Sequence, residues 1–135
     1  MENRISYITF AVADLARSRS FYVDGLGWPT SFVGDGIITI PVGAGLVLSL
    51  WGKDDFAVEV GYEPVFGQGP FTVAHNVTTP QAVDEVLDTV RDLGAWVDDA
   101  VNRDWGGYSG YFADPDGHRW EVAYNPNDVA DPALP

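Results

Sequence analysis

A single carboxylate, Glu121, stands where a late strand offers it to one face of a sheet. The stretch Tyr111-Phe112-Ala113-Asp114-Pro115-Asp116-Gly117-His118-Arg119-Trp120-Glu121-Val122 reads as strand, tight turn, strand. Proline presets φ at the second turn position, glycine accepts positive φ, and Asp side chains bond nearby backbone N–H groups. After the turn, alternation puts Arg119, Glu121 and Ala123 on one face and Trp120, Val122 and Tyr124 on the other. A carboxylate so placed can serve as a general base, anchor a ligand cation, or simply pair with Arg119 or a hydroxyl. The chain's two histidines, His75 and His118, read as a core or interface histidine and as a residue beside a turn. Trp51 shares the face of Ser49, while Trp105 and Tyr108 sit in a glycine-rich loop, Asp104-Trp105-Gly106-Gly107-Tyr108. Such aromatics either line a pocket mouth or cover an interface between subunits.

The elements that must position these groups are legible in the chain's order. Ser6 to Val12 alternates as a half-buried strand, and Asp14 then caps a helix whose apolar stripe is Leu15, Tyr22 and Leu26. Gly25 and Gly27 end it. Strands are expected over Ser31 to Val33, Ile37 to Val42 and Leu46 to Trp51, with turns at Gly34-Asp35-Gly36 and Gly43-Ala44-Gly45. From Gly52 to Gly69 the pattern breaks down, and this is read as a connector packed through Phe56, Tyr62 and Phe66. Phe71 to Val77 alternates again. Thr79 caps a helix with Pro80 at its first position and a stripe of Val83, Val86, Leu87, Val90 and Leu93, stopped by Gly94. A strand around Ala95 to Val101, a loop from Asn102 to Gly107 and the final hairpin follow.

The two halves repeat one another. The caps Asp14 and Thr79 are 65 positions apart, and so are Tyr7 and Thr72. Strand, capped helix, glycine stop, tryptophan and further strands occur in both halves, which predicts a duplicated βαβββ module. The expected boundaries are module one 1–52, connector 53–69, module two 70–126 and tail 127–135.

Composition narrows the function classes. With 46% hydrophobic residues in 135, the chain can bury a core. Seven basic against 20 acidic residues give a net charge of -13, which speaks against nucleic-acid and anionic-membrane partners, since both need a positive footprint. No stretch approaches the ~20 apolar residues of a membrane span. The start, Met1-Glu2-Asn3-Arg4, lacks the apolar run of a secretion signal, so a cytoplasmic location is expected. Zero cysteines remove disulfides, thiolate ligands and a cysteine nucleophile.

The segments Ile5-Ser6-Tyr7-Ile8-Thr9-Phe10-Ala11-Val12-Ala13-Asp14-Leu15, Ser20-Phe21-Tyr22, Gly25-Leu26-Gly27 and Phe112 to Glu121 resemble the vicinal oxygen chelate superfamily. That group holds glyoxalase I, extradiol dioxygenases, fosfomycin-resistance enzymes and bleomycin-resistance binding proteins. The resemblance covers nearly the whole chain. It implies an α+β fold of two tandem βαβββ modules forming a curled mixed sheet around a cavity, usually as a homodimer. It also implies four metal positions in members that carry an ion, which fall here on Tyr7, Ser49, Thr72 and Glu121. Only Glu121 is a ligand of the usual kind, because a catalytic divalent ion takes His nitrogens and carboxylate oxygens. His75, three after Thr72, and His118, three before Glu121, have the opposite parity.

Neither a metal nor another cofactor is therefore expected. The leading reading is a metal-independent protein that sequesters a hydrophobic, aromatic or cationic natural product, similar to antibiotic-resistance binding proteins. Its ligand-binding residues would be Tyr7, Ser49, Trp51, Thr72, Trp105, Tyr108 and Glu121. The alternative is a lyase, isomerase or dioxygenase that uses Glu121 as acid or base with Tyr7 or Thr72 orienting substrate. A scaffold with an empty cavity is the third.

Overall fold

The computed structural model describes residues 1–43 and 45–127. Ala44, in the expected turn, and the expected tail from residue 128 on lie outside them. The chain divides into two compact units, Met1–Gly67 and a second beginning at Gln68.

In the first unit, β1 (Tyr7–Val12) leads into α1 (Leu15–Arg19), followed by β2 (Phe32–Val33), β3 (Ile37–Pro41), β4 (Val47–Gly52) and α2 (Lys53–Val60). The strand order is β1-β4-β3-β2, with β4 parallel to β1 and antiparallel to β3. Asp14 caps α1 as expected, its Oδ1 accepting from the amides of Ala16 (2.9 Å) and Arg17 (3.1 Å). The helix does not stay α-helical to Gly25, however. From Ser20 to Gly25 it widens into a π-helical turn, with the Leu26 amide donating to the Phe21 carbonyl. The wider turn brings both Phe21 and Tyr22 into the core, where their rings meet edge to face at 5.1 Å and Tyr22 also meets Trp28 at 5.6 Å. Phe10, Val12, Ile38, Ile40, Leu48 and Leu50 fill the helix-covered face of the sheet. Each such side chain contributes about 1.5 to 3 kcal/mol on burial.

The connector was expected to lack regular structure, yet its first half is α2. Asp54 and Asp55 lie in the first turn, where the helix dipole favours acids, and Gly61 closes it at φ 82°. None of its residues is buried, so it shows no apolar stripe to read. Phe56 meets Trp51 edge to face at 6.2 Å and Tyr62 at 6.0 Å.

The second unit repeats the design: β5 (Val73–Asn76), α3 (Pro80–Asp92), β6 (Trp96–Asn102), β7 (Tyr108–Ala113) and β8 (Arg119–Tyr124), in the order β5-β8-β7-β6. The duplicated βαβββ expectation holds, as two four-stranded mixed sheets. Thr79 Oγ1 accepts from the Ala82 amide at 3.1 Å with Pro80 at the first helical turn. Val83, Leu87 and Val90 are buried, whereas Leu93, expected in the same stripe, sits at the helix end and is 39% exposed. Phe112 and Trp120 stack in parallel, centroids 6.0 Å apart.

Candidate functional site

The turn between β7 and β8 sets the register of the site. Asp114 Oδ1 accepts from the amides of Asp116 (2.9 Å) and His118 (2.8 Å), and its Oδ2 meets His118 Nδ1 at 2.9 Å. Gly117 adopts φ 90° and donates to the Asp114 carbonyl. So pinned, the hairpin puts Tyr111 opposite Glu121, and β5 adds Ala74 on the far side of Glu121. Cross-strand partners share a face, so Ala74, Glu121, Tyr111 and, on β6, Asp98 form one row across the sheet face opposite α3.

Within that row the Tyr111 hydroxyl donates to Glu121 Oε1 at 3.0 Å. Burial foremost, then the hydrogen bond to Glu121 and its charge, push the Tyr111 phenol above its usual 10.0, with Arg103 acting the other way. The row on one side holds Ser109 and Ala123, and the row on the other Trp96, Ala113 and Arg119. The Arg119 guanidinium lies 3.8 Å from the centre of the Trp96 ring.

Arg103 joins from beyond the end of β6. Its Nε donates to Ser109 Oγ and one terminal nitrogen to the Ser109 carbonyl, both at 2.9 Å, while the cation stands 5.5 Å from the centre of the Tyr111 ring. A β-bulge brings it to this face. Asp98 pairs with Tyr111 and Val101 with Ser109, so Asp99 and Ala100 together oppose Gly110. The extra residue inverts the alternation of everything after it. Gly110 makes room: a Cβ there would lie 2.8 Å from the Ala100 nitrogen, 2.8 Å from the Asp98 oxygen and 2.6 Å from Leu87 Cδ1.

The sequence-derived candidates distribute unevenly around this row. Tyr7, Ser49 and Trp51 share one face of the first sheet, but Tyr7 pairs with Val47 and it is Thr9 that pairs with Ser49. Thr72 is not opposite Glu121, because β5 begins one residue later and Ala74 holds that register. Tyr108 belongs to β7 instead of the loop. Its hydroxyl donates to Asp84 Oδ1 at 2.9 Å, on the α3 side of the sheet, and that bond raises its pKa. Trp105 remains in the loop, 48% exposed, its indole lying where a Cβ on Gly107 would be. Arg103 and Tyr111 are the site residues that alternation alone misses. The cue for Arg103 is Gly110, an isolated glycine inside a strand, which marks bulges.

The donor set does not fit the metal of the metal-bearing relatives. Among the described residues no three His, Cys, Asp or Glu side chains gather as a metal site. The row in the first unit that corresponds to Ala74, Glu121 and Tyr111 is Thr9, Ser49 and Thr39, and neutral hydroxyls are poor ligands for such an ion. His75 pairs with Val122 on the α3 side, and desolvation pushes its pKa down.

Residues 4–122 match the family model of the Glyoxalase/Bleomycin resistance protein/Dioxygenase superfamily. A crystal structure of a glyoxalase-related enzyme from Fulvimarina pelagi is similar at 33% identity and TM-score 0.85, covering 93% of this chain and 90% of that one. A glyoxalase/bleomycin resistance protein/dioxygenase from Nocardioides is similar at 23% identity and TM-score 0.75, over 92% of this chain and 84% of that one. Lactoylglutathione lyase from Agrobacterium tumefaciens follows the same fold at 21% identity and TM-score 0.73, over 92% and 95% of the two chains. No curated protein is similar enough to the chain to be matched. With the family model spanning most of its length and two βαβββ units built as described, this chain belongs to the Glyoxalase/Bleomycin resistance protein/Dioxygenase superfamily.

Proposed function

We propose that this chain is a metal-independent binding protein that sequesters a flat, largely apolar natural product, as the antibiotic-resistance members of its superfamily do. The observation that carries the reading is the row Ala74, Glu121 and Tyr111, in which the one carboxylate at a family metal position already accepts a phenolic hydrogen bond. Glu121 then presents its other oxygen to a ligand donor, and exposed aromatic surface at Trp96 and Trp105 supplies stacking area. The test is a tryptophan-fluorescence titration of metal-stripped protein against a panel of aromatic antibiotics, with metal analysis of the untreated sample. Saturable quenching in the metal-free protein is expected. Quenching that appears only after a divalent ion is restored would overturn the reading.

A second reading rests on the Tyr111–Glu121 hydrogen bond and on the similarity to a protein described as a glyoxalase-related enzyme. Glu121 would then move a proton at a bound substrate while Tyr111 fixes its orientation. Turnover of a panel substrate that disappears in Glu121→Gln, with ligand affinity retained, would favour catalysis over sequestration.

A further inference from the structure

We infer that the ligand bound at the Glu121 face carries a carboxylate, and that Arg103 receives it. This rests on the small-molecule reading above and names the class of molecule. A chain with net charge -13 invites a cationic ligand, and Asp98, cross-strand from Tyr111, adds a second carboxylate to the row, but two guanidiniums stand on the same face in the rows beside it. The row of Tyr111 and Glu121 is flanked by Ser109, which holds Arg103, and by Trp96, beneath Arg119. Same-face residues along a strand recur about every 7 Å, so a small molecule lying over the row can reach Arg103, held in the row next to it by Ser109.

Arg103 is preorganised in a specific way. Ser109 occupies one edge of the guanidinium, the Nε edge, through Oγ and the carbonyl, and the Tyr111 ring centre lies 5.5 Å from its carbon. That leaves the edge formed by the two terminal nitrogens, which matches a carboxylate in bidentate fashion. Among the described residues of its own unit, Arg103 and Arg119 make no ion pair with a carboxylate, whereas Arg91 pairs with Asp88 and Asp99 and Arg4 with Glu2. Acids are plentiful in this chain, so two arginines held on aromatic rings without one are placed for an acid from outside. Glu121 argues for a monoanion over a phosphate, since a second negative charge beside it adds repulsion. The free oxygen of Glu121 in turn suits a ligand hydroxyl or N–H near the carboxylate.

The test uses a matched series with one ring system, 1-naphthoate, 1-naphthamide and 1-naphthylmethylammonium, titrated calorimetrically into the intact protein. The acid is expected to bind about tenfold or more tightly than the amide, the scale of a charge-assisted hydrogen bond. Arg103→Gln is expected to erase that preference, and Arg103→Lys to keep part of it, so either folded variant decides. Equal affinity for acid and amide, or tighter binding of the ammonium, overturns the carboxylate assignment and leaves the sequestration reading standing. Failure of every member to bind tells against both.

Discussion

The two units share a strand order and differ in what they display. Across the first sheet the row Thr9, Ser49 and Thr39 holds three hydroxyls; across the second the corresponding row is Ala74, Glu121 and Tyr111. Offsets confirm the correspondence, for Thr9 and Ala74 are 65 positions apart, as the caps Asp14 and Thr79 are. Ser49 and Glu121 therefore occupy the same place in two copies of one design. Among the described residues, the second copy sets beside it a phenol and, in the adjoining rows, two guanidiniums.

The sharpest way to break this asymmetry is to write the second row into the first. Ser49 is 3% exposed and has Thr39, not a tyrosine, opposite it. Ser49→Glu is expected to cost about 3 to 5 kcal/mol in chemical denaturation, the scale of an uncompensated buried charge; a cost under 1 kcal/mol would mean that the first unit tolerates the same chemistry. Next comes the packing that lets Arg103 reach its place. Gly110→Val is expected to lose about 3 kcal/mol, because the added carbons meet Leu87 and the backbone of the bulge. A smaller effect is expected for Tyr111→Phe, about 1 kcal/mol in stability or ligand affinity, whereas Thr39→Val in the equivalent position should leave affinity unchanged.

Titration gives the mildest contrast. The Tyr111 phenol is raised in the folded state, so its contribution is complete below the unfolded value near 10.0 and is lost as pH climbs through the folded one. An absorbance titration should show two phenols, those of Tyr108 and Tyr111, ionising late in the wild type and one fewer in Tyr111→Phe. His75 works in the opposite sense. Its side chain keeps some exposure, yet the protein around the ring depresses its pKa. Its contribution is therefore present above 6.5 and lost as pH falls below it, and His75→Gln should flatten the acid limb of the stability profile slightly.

Much of the scaffold was legible because it is written in local chemistry. Asp14 and Thr79 announce helix starts through their side-chain oxygens, Asp114 to Gly117 announce a turn, and strict alternation marks β1 and β8. What could not be read depends on pairing or on weak signals. The helix α2 buries nothing and so carries no periodicity. Thr72 was placed by analogy of spacing, but strand register decides who faces Glu121, and that is Ala74. Tyr108 looked like a loop residue beside two glycines, although β7 begins with it. The face that Glu121 takes follows from parity alone. That of Arg103 does not, since counting by twos along β6 assigns it to the wrong side.

That miscount has an implication for how such a protein changes. Substitution alters which group stands at a position; the doubled residue opposite Gly110 alters which positions a whole segment presents. Removing Ala100 would restore simple alternation through the end of β6 and send the Arg103 side chain toward α3, with no ligand-facing residue replaced. A one-codon deletion would thus remove one of the two guanidiniums beside Glu121, making the length of this strand a determinant of specificity alongside the identity of the side chains on it.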